Sequence, residues 1–154
     1  MRCQLFDKAG NMVSENVYWQ AQQPDDVGDP RNDLAFELKQ SSWADMTALN
    51  NLPRVPLEVT ARRSTDSDHN RVSIRLHNPS QQIAFFERAE LTSAPDADEI
   101  LPIEYSDNYV TVFPGDTVDL TGTIPTGGVD ARWVRVSGYN TAPQVVPVSP
   151  PPQS

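Results

Sequence analysis

Apolar and polar residues alternate with a period of two along much of the chain between residues 57 and 136. Seven segments show it, with apolar positions at Leu57, Val59 and Ala61; Val72, Ile74 and Leu76; Ile83, Phe85, Ala89 and Leu91; Leu101, Ile103 and Tyr105; Tyr109 to Phe113; Val118 and Leu120; and Val134 and Val136. This period is typical of strands with one buried face. Short strands at this spacing predict an all-β fold, a two-sheet sandwich of about seven strands.

A proline followed by a glycine punctuates the pattern at Pro114 and Gly115. Proline presets φ at the second position of a type II turn, and glycine supplies the positive φ that the third position needs. Residues 109–113 and 117–123 are therefore predicted to be strands joined by a tight turn. Glu87 falls on the apolar face of its strand. It lies at a sheet edge, beside a bulge, or paired with Arg88 or another arginine.

The first 45 residues follow a different pattern. Residues 1–6 and 12–19 predict a hairpin around residues 7–11, and residues 20–33 are polar and acidic. Two strands alone are marginally stable in water, so this hairpin needs a partner sheet. The sequence thus predicts an incomplete sandwich remnant over residues 1–45, a complete sandwich over 52–141, and a proline-rich, flexible tail over 142–154.

Composition excludes several classes of function. The chain has 154 residues, a net charge of −9 and a single cysteine, Cys3. The acidic balance argues against nucleic acid, which selects clustered Lys and Arg. One cysteine cannot form an internal disulfide or a cysteine-built metal site. No apolar run reaches the ~18 residues of a membrane span, and no signal peptide is visible at the N-terminus.

Candidate chemistry is sparse. The twenty-one acidic residues offer no recognisable catalytic pair, so no catalytic, cofactor or metal residues are predicted. Residues 66–70 (DSDHN) have oxygen-rich spacing that suits either a Ca²⁺ loop or Asp and Asn turn chemistry. Aromatic residues on a sandwich stack on sugar rings, fill the core or anchor a domain interface. The aromatic residues open to these three interpretations are Trp19, Trp43, Trp133, Tyr105, Tyr109 and Tyr139. The sharpest site candidates are Asp107, Asn108 and Tyr109, as interdomain or substrate-rim contacts.

Several separated motifs resemble one known family. They are SDNYVTVFPGDTV at 106–118, VSIRLHNPSQQIAFFERAEL at 72–91, LNNLP at 49–53, LFDKAGNMVSENVYW at 5–19 and VRVSGYN at 134–140. Together they resemble the C-terminal immunoglobulin-like domain of family 2 glycoside hydrolases of the exo-β-glucosaminidase and β-mannosidase type. Relatives often carry tryptophan at the place of Tyr139. Residues 5–19 resemble the last hairpin of the sandwich domain that precedes it.

The resemblance implies an accessory role. It makes this chain an Ig-like domain without catalytic activity of its own, because the acid/base and nucleophile of such enzymes lie on a (β/α)8 barrel. The implied partners are the other domains of a parent glycosidase, with an oligosaccharide at the cleft rim, and the parent is expected to be secreted or periplasmic. A stand-alone carbohydrate-binding or adhesin-type sandwich is the alternative.

Overall fold

The computed structural model describes residues 1–27, 40–64, 70–125 and 127–151. The chain divides into two compact units, Met1–Leu52 and Pro53–Ser154. The predicted 66–70 loop lies almost wholly outside the described residues, so neither of its two interpretations is tested there.

The first unit contains a hairpin. Strands β1 (Arg2–Phe6) and β2 (Met12–Val17) pair antiparallel, with a register shift between Leu5 and Phe6. The turn between them is held by the Asp7 carboxylate, which accepts hydrogen bonds from the backbone N–H groups of Ala9 and Asn11, 2.8 Å each. A short 3-10 helix, Thr47–Asn51, lies near the end of the unit. None of the described residues of this unit is buried.

The second unit is built from eight strands. They are β3 (Glu58–Arg63), β4 (Asn70–His77), β5 (Ala84–Thr92), β6 (Glu104–Tyr105), β7 (Val110–Val112), β8 (Thr117–Ile124), β9 (Trp133–Ser137) and β10 (Gln144–Ser149). Their order is β6-β8-β4-β3-β10-β9-β5-β7 in one curled sheet. All pairs are antiparallel except the short parallel pair of β10 and β3. This confirms the predicted all-β, Ig-like sandwich.

The core lies between two halves of the curled sheet, one formed by β6, β8, β4 and β3 and the other by β10, β9, β5 and β7. Its fully buried members come from both halves and include Val72, Ile74, Leu76, Ala89, Leu91, Val112, Leu120, Val134 and Val136. The halves meet where β8 faces β5. A Cβ placed on Gly122 would lie 2.7 Å from the Leu91 Cδ1 atom, so only glycine fits that crossing without a shift.

A bulge in β5 changes the phase of its alternation. The pairing of β5 with β7 shifts between Ala84 and Glu87, and Phe86 adopts a φ of 58°. Ala84 therefore faces the core before the bulge, whereas Glu87, Ala89 and Leu91 face it afterwards. Of the three placements predicted for Glu87, the structure shows the bulge, and no arginine among the described residues pairs with Glu87. The sequence places Ile83 and Phe85 in phase with Ala89 and Leu91, but the core cluster contains Ala84 instead of those two residues, because an inserted residue reverses the alternation.

The predicted turn at Pro114 and Gly115 is present. Gly115 has a φ of 75°, and the Asp116 N–H donates to the Phe113 carbonyl at 3.0 Å. The strands it joins do not pair with each other: β7 pairs with β5, whereas β8 pairs with β4 and β6. The turn is thus a crossover between the two halves of the sandwich. Asn78 anchors it by accepting from Gly115 at 2.9 Å and donating to Asp116 at 3.0 Å.

The flexible tail predicted from residue 142 is wrong over Gln144–Ser149, which form β10. Val146 and Val148 pack against the core, a pattern that the prolines obscured. Strand β10 pairs with β9 through Pro147 and then with β3 from Val148 onward. Pro147 therefore stands at the switch between partners, where a missing N–H costs least. Residues 152–154 lie outside the described residues.

Candidate functional site

The predicted site turn bridges the two halves of the sandwich. Ser106 is bonded to β8, because its N–H donates to the Thr121 carbonyl at 2.8 Å and its Oγ accepts from the Thr121 N–H at 2.9 Å. Asn108 is bonded to β5: its Oδ1 accepts from the Ala89 N–H and its Nδ2 donates to the Ala89 carbonyl, both at 2.9 Å. Asn108 therefore occupies the position of a strand partner and is engaged inside the domain.

Asp107 and Tyr109 face outward from the same turn. The Asp107 Oδ1 accepts from the Asn108 N–H at 2.7 Å, which shapes the turn and leaves the rest of the carboxylate exposed. Tyr109 is 54% exposed and has a φ of 56°. A left-handed backbone at a bulky residue costs about 1 kcal/mol or more, and such residues concentrate at functional sites.

Tyr109 belongs to a cluster of four rings, which we name the aromatic corner: Phe85, Phe86, Tyr109 and Tyr139. Ring centroids are 4.8 Å apart for Phe85 and Phe86, 5.9 Å for Phe85 and Tyr139, and 6.3 Å for Phe86 and Tyr109. Phe85 is buried, whereas the other three rings are about half exposed. Among the described residues, the two non-glycine positions with positive φ are Phe86 and Tyr109, which contact each other. The bulge in β5 and the Asn108 turn thus aim two strained aromatic residues at one place.

An ion-pair network borders the aromatic corner on the outer face of β5 and β9. Arg88 lies over the Tyr109 ring, with Cζ 6.0 Å from its centroid, and contacts Glu99 at 2.6 Å and Glu90 at 3.2 Å. Arg135 also contacts Glu90, at 3.2 Å. The two carboxylates are mostly buried and both are paired with arginine, so they act as ion-pair partners rather than as a catalytic pair of acid and base.

Tyr105 ties this network to the core. Its hydroxyl accepts from the Leu91 N–H at 2.9 Å and donates to the Glu99 Oε1 at 3.2 Å. Burial raises the pKa of Tyr105, and the Glu99 carboxylate raises it further. The hydroxyl is therefore a fixed hydrogen-bond donor near neutral pH.

Glu87 lies beneath the aromatic corner and is fully buried. The Thr141 hydroxyl donates to its Oε2 at 2.9 Å. Burial raises the pKa of Glu87 to about 7, although the Thr141 bond lowers it. In the sequence, this buried environment is indicated only by the position of a charged residue on the apolar face of a strand.

The remaining sequence candidates are dispersed. Cys3 is exposed, Trp43 is exposed in the first unit, and Trp133 is half-buried in β9. His77 Nδ1 lies 3.1 Å from both the Asp116 carbonyl and the Thr117 hydroxyl. Within residues 1–27, 40–64, 70–125 and 127–151, no group of three or more His, Cys, Asp or Glu is arranged to hold a metal ion. In those same ranges no helix is long and apolar enough to cross a membrane.

Sequence reasoning missed a second structural asparagine. Asn140 is buried, with its Nδ2 donating to the carbonyls of Pro53 and Ile83 and its Oδ1 accepting from the Phe85 N–H, all at 2.9 Å. It fixes the segment that carries Tyr139 against β5. The sequence pattern that could have indicated this role is an asparagine that directly follows a strand and an aromatic residue.

Comparison with known proteins identifies the family. The family model described as the exo-beta-D-glucosaminidase Ig-fold domain matches residues 35–141. The chain belongs to this family. An exo-beta-D-glucosaminidase of Streptomyces avermitilis is 34% identical over 153 residues, and one of Arthroderma benhamiae is 36% identical over 151 residues. The alignments cover 96% and 95% of this chain but 17% and 16% of those proteins.

Solved structures agree with the sequence relatives. The exo-chitosanase CsxA of Amycolatopsis orientalis superposes with a TM-score of 0.81 at 31% identity, over 94% of this chain and 17% of that one. The chain thus spans about a sixth of the length of the relatives it matches. It corresponds to the Ig-fold domain of such proteins, as the resemblance implied.

Proposed function

We propose that this chain is the Ig-fold portion of a family 2 glycoside hydrolase that removes β-linked glucosamine from the ends of oligosaccharides. Family membership over residues 35–141 carries this proposal, and the named relatives are exo-beta-D-glucosaminidases. The catalytic step belongs to another part of the parent protein. A stand-alone carbohydrate-binding module is not favoured, because the relatives that contain this segment are about six times as long.

The partners proposed for this domain are the other domains of the parent, with the aromatic corner as the contact surface. Exposed Tyr and Phe rings beside an arginine are the residue types that dominate the energetics of protein interfaces. Within the predicted trio the roles differ. Tyr109 supplies contact area, Asp107 supplies an exposed carboxylate at the rim, and Asn108 holds the turn in place.

Residues 1–45 are proposed to complete a sandwich domain that precedes this one. The hairpin supports this, because its apolar side chains have nothing to cover them in the described residues of the unit: Leu5 is 61% and Val13 is 62% exposed. Strands that expose such residues need a second sheet.

One experiment separates the accessory role from an enzymatic one. The chain alone is assayed against chromogenic β-glucosaminide and β-mannoside substrates, and we expect no product above the blank. In a second assay, this chain replaces the matching segment within the full-length Streptomyces avermitilis relative. We expect the resulting chimera to hydrolyse the glucosaminide. Turnover by the chain alone, abolished by changing one of its acids, would overturn the proposal.

The contact surface is tested in the same chimera. Phe86→Ala and Tyr109→Ala should lower the melting temperature of the chimera more than that of the isolated chain. Leu101→Ala is the control, because Leu101 is exposed and lies outside the corner. Equal shifts in chimera and isolated chain for the two corner variants would show that the corner does not dock.

A further inference from the structure

Glu87 is a buried carboxyl group with no cationic partner among the described residues. Its Oε2 accepts the Thr141 hydroxyl, and its Oε1 has no hydrogen-bond partner among the described residues. A buried, unpaired carboxylate is strongly disfavoured, because desolvation acts on the charged form. The group therefore favours its neutral state, in which one oxygen carries a proton.

The charged side chains nearest in sequence and space are occupied elsewhere. Arg88 follows Glu87 but points to the outer face, where it contacts Glu90 and Glu99. From the segment that precedes β3, Arg54 donates to the Thr141 carbonyl at 3.0 Å. From β7, the residue opposite Glu87 is the apolar Val110. Burial and the Thr141 bond account for the shifted pKa of Glu87, with no contribution from a charged side chain.

The carboxyl group touches both segments that carry the aromatic corner. On its own strand it directly follows Phe86, at the bulge. Across from it lies the backbone of Gly138, where a side chain would overlap the carboxyl atoms. Gly138 precedes Tyr139, whose N–H donates to the Phe85 carbonyl at 2.9 Å. The carboxyl group is therefore in close contact with the segment 138–141 through both Gly138 and Thr141.

We propose that Glu87 is a proton-operated switch for the aromatic corner. The neutral carboxyl holds residues 138–141 against β5. When its proton passes to bulk water, the unpaired charge draws solvent into this junction and shifts Phe86, Tyr109 and Tyr139. Two features make the coupling local: the space left at Gly138 and the bulge that aims Phe86 outward while Glu87 points inward.

The direction of the pH effect follows from linkage. Burial raises the pKa of the folded Glu87 carboxyl to about 7, above its ordinary value of 4.5 in an unfolded chain. Between these two values the folded state binds one more proton than the unfolded state, so this group makes stability fall as pH rises. Below 4.5 and above 7 its contribution is flat.

The first test is a titration of the full chain by carbon-detected NMR of the glutamate carboxyl groups, together with the ring resonances of the corner. We expect one glutamate with a midpoint near 7, and corner resonances that shift with the same midpoint. A Glu87 midpoint at the ordinary value would overturn the switch. So would an elevated midpoint with corner resonances that do not follow it.

A variant assigns the transition to Glu87. Histidine side chains also titrate in this range, and the chain has two of them. Glu87→Gln keeps the shape and removes the charge, so its corner resonances should be constant between pH 5 and 9. Glu104→Gln, at an exposed glutamate of β6, is the matched control and should behave as the parent chain. Corner resonances that still shift with the parent midpoint in Glu87→Gln would refute the assignment.

The use of this switch in docking rests on the function proposed above. If the corner docks, docking in the chimera should weaken as pH rises through 7 and should lose that dependence in Glu87→Gln. The NMR titration needs no partner. A corner that responds to pH in the isolated chain, with no docking in the chimera, would leave the switch standing and overturn only the docking.

Discussion

The hairpin of β1 and β2 and the sandwich of β3 to β10 share the same backbone hydrogen bonding but differ in what covers their side chains. The hairpin strands expose every residue except Val17, which is half-buried. The sandwich buries apolar residues on six of its eight strands, and several have no exposed surface at all. Strand pairing without burial is marginal, so the two units should differ strongly in stability.

A strand of modest apolar content joins the core when other strands flank it. Strand β10 has a sequence no more apolar than the hairpin, yet it joins the core because β9 and β3 flank it and Val146 and Val148 find a covered face. The hairpin strands have the same ability to pair but lack a flanking strand in the described part of their unit. The surroundings, rather than the segment, decide whether such strands are stable.

The largest effect should come from a matched pair of leucine truncations. Leu91→Ala removes a side chain with no exposed surface, and we expect the loss of about 2–5 kcal/mol that buried leucine truncations typically cause. Leu5→Ala, at a position 61% exposed, should change the free energy of unfolding by less than about 0.5 kcal/mol. Chemical denaturation of both variants checks this. A comparable loss in the two would mean that the hairpin has a core of its own.

Two asparagine variants compare an anchoring side chain of the sandwich with an exposed side chain of the hairpin. Asn108→Ala leaves both backbone groups of Ala89 unpaired, at an expected cost of about 1–3 kcal/mol. Asn16→Ala removes two exposed bonds, one to the Tyr18 hydroxyl and one from the N–H of the adjacent Val17, and should be nearly neutral. Thermal melting measures both. A neutral Asn108→Ala would show that the turn at 106–109 does not depend on this anchor.

A glycine pair tests the close packing beside Glu87. Gly138→Ala should destabilise the sandwich by about 1–3 kcal/mol, because the new methyl overlaps the Glu87 carboxyl. Gly10→Ala has open space around it but a φ of 85°, so its strain should stay within the hairpin and leave the sandwich transition unchanged. Differential scanning calorimetry separates the two outcomes. If Gly138→Ala is tolerated without loss, the tight contact at Glu87 is absent.

The smallest effect is expected at an exposed ion pair of the sandwich. Arg75 and Asp119 contact each other at 2.7 Å, yet both side chains are mostly exposed. Solvent screens such pairs, so Arg75→Ala should leave the melting temperature unchanged. This prediction would be contradicted if Arg75→Ala clearly lowered the melting temperature and high salt lowered that of the parent chain by a similar amount.

Alternation along the chain was enough to predict the sandwich, because period two survives in strands with one covered face. It did not predict β10, since Pro147 within the segment, the prolines on either side of it and its polar start resemble a linker until β3 and β9 are seen beside it. The phase reversal at Phe86 was also hidden, because a bulge is a property of paired strands and not of one segment.

The candidate site was only partly predictable. Tyr109 was singled out because an aromatic residue in a polar turn is unusual; it is 54% exposed, and its role as a contact stays a prediction. Asn108 proved to be an anchor, since a polar side chain in a turn can bond to a strand that is distant in sequence. Phe86 and Tyr139 complete the aromatic corner through contacts that no local pattern contains.

We infer that the sandwich can fold by itself, whereas the hairpin needs further strands to cover its apolar side chains. Amide hydrogen exchange of the intact chain tests this directly. We predict slow exchange at the hydrogen-bonded amides of β4 and β9, and fast exchange at those of β1 and β2 despite their pairing. Equal protection of the hairpin and the sandwich in a chain shown to be monomeric would contradict the claim.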